Sequence, residues 1–105
     1  MSESPDSPVP YRVSYSEAVQ QKLSAFADEA LDQGLGEPFL ASLKEFDSRL
    51  RVYPQFGDPL ADLKLTPSQL WIGVVWPVVM RYTLDDQRRL VIVVAPFLLL
   101  PKSAS

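Results

Sequence analysis

The chain has no cysteine and no histidine, and only four glycines in 105 residues. Without cysteine there is neither a disulfide framework nor a thiol nucleophile. Without histidine, the commonest general base and the commonest metal ligand are both missing. Positive charge is also in short supply. Ten Lys and Arg stand against thirteen Asp and Glu, for a formal charge of −3 and a pI near 4.8. Non-specific nucleic-acid binding needs clustered cations to displace phosphate counterions, so this balance argues against it. The longest apolar run, near Leu90–Leu100, is about half of what a membrane-spanning helix requires. The first ten residues, MSESPDSPVP, are acidic and Pro/Ser-rich with no apolar run, which does not fit a signal peptide. The expectation is a cytoplasmic protein with no cofactor, no metal site and no membrane contact.

Hydrophobic residues make up 47% of the chain and charged residues 22%, ordinary for a soluble domain. The length suits one core. Residues 1–10 read as a disordered leader, 11–100 as the folded domain and 101–105 as a polar tail. Tyr11–Tyr15 reads as a short strand. Ser14 or Ser16 then caps a helix whose apolar residues recur at Val19, Leu23, Phe26, Ala27, Ala30 and Leu31. Gly34 and Gly36 stop it, Gly34 in a left-handed cap. A second helix opens around Pro38, carries Phe39, Leu40, Leu43, Phe46 and Leu50, runs toward Tyr53 and ends at Pro54. Residues 54–69 form a connector in which Lys64 and its neighbours make a short strand.

Three β-type runs follow: Leu70–Trp76, Val78–Leu84 and Arg89–Ala95, broken by Pro77, by Asp85-Asp86-Gln87 and by Pro96. Phe97–Leu100 reads as a last extended piece. Strand, helical hairpin, then antiparallel meander is an α+β order, with the helix pair on one face of the sheet. Val19, Leu23, Phe26, Leu40, Leu43, Phe46, Leu50, Met80, Tyr82, Ile92 and Val94 are the expected core. Both alternating faces of the β runs are apolar, and the helices can cover one.

The opening Tyr11-Arg12-Val13-Ser14-Tyr15-Ser16-Glu17-Ala18, the segment LKEFDSRLRVYPQFGDPL from Leu43 to Leu60, and Val79–Asp86 leading into Leu90–Ala95 together resemble the RelE/ParE superfamily of bacterial toxin–antitoxin systems. The connector positions that carry the likeness are Pro54, Gly57, Pro59 and Leu60, and the resemblance covers roughly residues 11–98. It implies a RelE/ParE-like α+β fold, with the first strand laid beside a later one, and an antitoxin-like protein partner. It also implies a cellular target such as DNA gyrase or the ribosome. Members that cleave mRNA resemble one another in a basic cluster on the concave face and a C-terminal Tyr or His. Phosphodiester cleavage by a 2′-hydroxyl needs a base, an acid and cations on the developing charge. Here Leu70–Trp76 carries no ionisable residue, and Ala95–Pro101 has neither Tyr nor His. Protein–protein binding without catalysis is therefore the leading expectation, as an antitoxin-neutralised toxin or a non-toxic relic of the fold. The alternative is a ribosome-dependent mRNA interferase with a degenerate site built on Arg81 and Lys64, with Arg49 or Arg51 on phosphate.

Arg81 shares a strand face with Val79 and Thr83. It either contacts an anion or carboxylate on the concave face, or pairs with Asp85, Asp86 or a cross-strand acid. Asp85, Asp86, Arg88 and Arg89 read as a solvated hairpin tip, because adjacent strand residues cannot converge as an acid pair. Trp71, Val75, Val79, Arg81, Phe97, Leu98, Leu99 and Leu100 are the expected binding residues. They would serve an antitoxin-like partner or a homodimer centred near Trp71 or Trp76, unless the C-terminal piece folds back over its own sheet.

Overall fold

The computed structural model describes residues 10–60 and 69–99. The leader to residue 9, Lys64 with its neighbours, Leu100 and the polar tail lie outside the described residues. The architecture is α+β: two helices and a five-stranded mixed sheet. The elements run β1 (Arg12–Tyr15), α1 (Glu17–Asp32), α2 (Gly36–Val52), a 3₁₀ turn (Pro54–Phe56), β2 (Asp58–Pro59), β3 (Gln69–Val75), β4 (Val78–Asp85) and β5 (Leu90–Leu98). Spatial order is β1-β5-β4-β3-β2. β3, β4 and β5 form the antiparallel meander, while β1 lies parallel to β5, with Arg12 opposite Leu90 and Tyr15 opposite Val93. The first strand does pair beside a later one.

Of the two possible caps, Ser16 starts α1, its hydroxyl accepting the Val19 N–H at 3.1 Å. α1 ends on Gly34 at φ 75°. There the Leu35 N–H reaches the Ala30 carbonyl at 2.7 Å and the Gly34 N–H the Leu31 carbonyl at 3.1 Å. This Schellman pattern turns the chain straight into α2. Phe39, Ser42, Phe46 and Leu50 are the buried face of α2, with Leu43 packed at its margin. Leu40 was expected in that stripe but is 58% exposed, as Leu31 of α1 is 70% exposed. Both point away from the sheet beside a shallow groove between the helices, because the stripe that meets the sheet follows residues 39, 42, 46 and 50.

The helices pack on Val78, Met80, Tyr82 and Leu84 of β4 and on Val91 and Val93 of β5. Phe56 closes one end of the core, stacked on Tyr82 and edge-on to Phe46. Gly73 on β3 makes this possible, since a Cβ there would fall 2.8 Å from the Phe56 ring. At Gly57 a Cβ would collide with the Ile72 carbonyl oxygen and the Tyr82 hydroxyl. Tyr82 donates that hydroxyl to the Pro54 carbonyl, which ties β4 to the chain leaving α2.

Two expectations for β5 need correction. Ile92 and Val94 are not core; Val91 and Val93 are. Pairing sets the faces, because Val91 lies opposite Leu84 and Val93 opposite Tyr82, both on the helix side. Nor does Pro96 break the strand. β1 pairs only with Leu90–Val93, so beyond that point one side of β5 is a sheet edge, where a residue without an N–H is tolerated.

Candidate functional site: the open face of the sheet

Cross-strand register places the remaining side chains of β3–β5 in rows on the face away from the helices. Val74, Val79 and Phe97 form one row; Asp58, Ile72, Arg81 and Ala95 the next; Leu70, Thr83, Ile92 and Ser14 a third. A bulge opposite Arg81 and Tyr82 adds Val94 to this side. Val74, Ile92, Val94 and Phe97 are 54%, 42%, 48% and 42% exposed. Trp76, in the turn that joins β3 to β4 through a cis bond to Pro77, and Leu99, just past β5, are exposed at the same end of the strands.

Of the residues expected to bind a partner, the structure brings Val79, Arg81 and Phe97 together on this open face. It sends Trp71, Val75 and Leu98 to the other side, where they pack against the core. The reason is parity: Trp71 lies opposite Tyr82 and Val75 opposite Val78, and both of those face the helices. Of the two tryptophans expected near a dimer centre, Trp71 is therefore not on the open face, and Trp76 is exposed in the turn at its end. Ile72 and Val74, also on this face, are not among the residues expected to bind. Ile92 and Val94 were expected in the core instead, because β5 is apolar on both faces and offers no alternation to read.

Arg81 sits on the central strand of this face, between Ile72 and Ala95. Its guanidinium carbon lies 5.4 Å from the centre of the Phe97 ring, within the range of a cation–π contact. Neither Asp85 nor Asp86 pairs with it. Asp85 accepts the Arg88 backbone N–H at 3.1 Å and approaches the Arg88 guanidinium at 3.8 Å. Asp86 accepts the Tyr11 hydroxyl at 2.7 Å. The two carboxylates therefore build the hairpin tip, which Arg89 completes at φ 52° with its guanidinium over the Tyr11 ring. Arg81 Nε is buried and has no hydrogen-bond partner among the described residues.

Of the other candidate cations, Lys64 lies outside the described residues, and Arg49 and Arg51 do not converge on Arg81. Arg49 and Arg51 lie on α2, in the opposite layer, paired with Glu45 at 2.7 Å and Asp47 at 2.8 Å. Arg51 is part of a polar cluster at the helix–sheet boundary, where the Tyr15 hydroxyl also donates to Asp47 at 2.9 Å. The hydrogen bond from Arg51, followed by that from Tyr15, holds the Asp47 carboxyl below its usual range. Burial, and then the Asp47 carboxylate, push the Tyr15 hydroxyl well above the ordinary tyrosine value.

Charge divides along the same line. The two helices carry seven carboxylates and four cations, whereas β1, β3, β4 and β5 with their turns carry four cations and two carboxylates. No helix among the described residues is long and apolar enough to cross a membrane. No protein-family model matches the chain, and no curated protein matches it.

Proposed function

We propose that this chain is a RelE/ParE-like protein that acts by binding another protein through the open face of its sheet, without chemistry of its own. The supporting observation is the uneven cover of the sheet. Helices bury one side, while the other presents Val74, Ile92, Val94 and Phe97 to solvent at about half their full exposure. Contiguous apolar patches on a monomer's surface are characteristic of interaction sites. The family likeness makes an antitoxin-like protein the partner. A nuclease reading draws no comparable support, since Arg81 is alone among the apolar side chains at the centre of the described face. Arg49 and Arg51 are engaged in the opposite layer.

The test is co-expression with the product of an adjacent small gene, followed by co-purification. Phe97→Asp, on the open face, should lose the partner, and Leu31→Asp, on the outer helix face, should retain it. Cellular mRNA should stay intact in primer extension. Cleavage that disappears in Arg81→Ala would replace this reading with the interferase.

A further inference from the structure

We infer that the groove between the two helices docks a cationic amphipathic helix of a second partner protein. A large apolar side chain of that helix sits between Leu31 and Leu40, and its Lys or Arg residues meet Asp28 and Glu37. The groove opens on the outer side of the helical layer, away from the open sheet face, and needs nothing of the function proposed above.

A helix that buries one stripe on a sheet ordinarily keeps its opposite side polar. Here the outer side is interrupted by an apolar groove of about 380 Å³. Half-buried Ala27 and buried Phe39 lie deepest in it, Leu31 and Leu40 stand exposed, and Asp28 and Glu37 share the lining. The tight turn at Gly34 creates it, because α2 starts directly after α1 and sets the end of one helix beside the start of the other. Leu31 is 70% and Leu40 58% exposed. So open a groove does not suit a small molecule, whose sites bury about 70–90% of the ligand. It suits an amphipathic helix, which seats an anchor side chain and lays its flanking turns along the rims.

Charge selects among such helices. Asp28 and Glu37 are exposed, and neither joins an ion pair among the described residues. Asp32, one turn beyond Asp28, adds a third carboxylate at this end of the hairpin. Lys44 stands two turns beyond Glu37 on α2, roughly 10 Å along the axis. A second copy of this chain matches the apolar groove but not its rims. A two-fold that set Leu31 and Leu40 on their own images would bring the carboxylates against theirs. Nucleic acid and anionic lipid are repelled by the same field. A basic amphipathic helix matches the groove and its rims together.

The experiment titrates the isotope-labelled full chain with a synthetic helical peptide that carries a leucine stripe flanked by lysines. One twin has glutamates for the lysines, and a second has serines for the leucines. The lysine–leucine peptide should shift the amides of Ala27, Asp28, Leu31, Glu37 and Leu40, and bind about tenfold or more tighter than either twin. Asp28→Lys combined with Glu37→Lys should invert the order of the lysine and glutamate peptides. Leu40→Ser, at an exposed position outside the core, should weaken the lysine–leucine peptide by a similar factor and leave the resonances of β4 and β5 in place. Phe97→Asp, on the open face, should leave its affinity for the groove unchanged. Equal affinity of the lysine and glutamate peptides would overturn the inference, as would shifts confined to Val79 and Phe97 or a dimer that buries Leu31 and Leu40.

Discussion

The two faces of this sheet are built from the same kinds of residue and differ in what lies above them. On the helix side, Met80, Tyr82, Val91 and Val93 are sealed beneath Phe39, Phe46 and Leu50. The polar groups there mostly find partners. Tyr82 donates to the Pro54 carbonyl, Ser42 to the Val75 carbonyl and Tyr15 to Asp47. Trp71 Nε1 is the exception, without an acceptor among the described residues. On the open side, Val74, Ile92, Val94 and Phe97 are half exposed, and Arg81 Nε has no acceptor among the described residues. One strand serves both environments, since Met80 and Arg81 are neighbours in sequence. Antiparallel sheets usually resolve this by making one face polar. This one does not, and that contrast is what the proposed protein-binding role rests on.

The sharpest way to break the comparison is to truncate one phenylalanine from each side. Phe46→Ala removes a fully buried ring that touches Phe56 and packs beside Gly73, and should cost about 3–5 kcal/mol in denaturant unfolding. Phe97→Ala, on the open face, should cost less than about 1 kcal/mol. Comparable losses at the two sites would mean that the open face is packed in the isolated chain.

A mid-sized effect is expected at Tyr82, where the covered side buries a hydroxyl. Tyr82→Phe leaves the Pro54 carbonyl without its donor and should cost about 1–3 kcal/mol at neutral pH. Burial, only partly offset by the Gly57 backbone N–H beside the oxygen, pushes the Tyr82 hydroxyl from 10.0 up to about 12. A raised value means that the folded state holds the proton more tightly. That stabilisation is complete below pH 10 and disappears as pH climbs to about 12. The wild-type chain should therefore lose stability across this window, and Tyr82→Phe should lose less of it, as read by denaturant midpoints over an alkaline series. Equal slopes for the two proteins would place the alkaline loss elsewhere, at Tyr15 for example.

The smallest effect belongs to Arg81→Met. If Arg81 is kept for a partner, exchanging an unmatched donor for an apolar chain of similar length should leave stability unchanged or raise it by up to about 1 kcal/mol. A clear loss in thermal unfolding would assign Arg81 a structural role and collapse the distinction between the two faces.

The local elements were legible from particular residues. Ser16 before Glu17, Gly34 after Asp32, Pro38 inside the second helix and the polar tip at Asp85-Asp86 each impose a conformation by short-range chemistry, and each stands where the sequence placed it. Periodicity identified Val19, Phe46 and Leu50 as buried, because a helix with one polar side leaves no choice of face. It misjudged Leu40, since a stripe wider than the contact leaves its margin to the geometry of docking.

What the sequence determined by itself is therefore the α+β order, the start and stop of the helices, and the location of the β runs. These depend on caps, turns and hydrophobic period, all of which act within a few residues. Only the tertiary structure decided which side of each strand is inside. In β5, Val91 to Val94 are four β-branched residues in a row, with no alternation to read. Pairing with Leu84 and Tyr82 put Val91 and Val93 under the helices and turned Ile92 and Val94 outward. The same register turned Trp71 and Val75 against the core and left Arg81 among apolar neighbours on the open side. Because side chains alternate with a period of two, this choice belongs to hydrogen-bond register between distant strands, and no local stretch of the chain contains it.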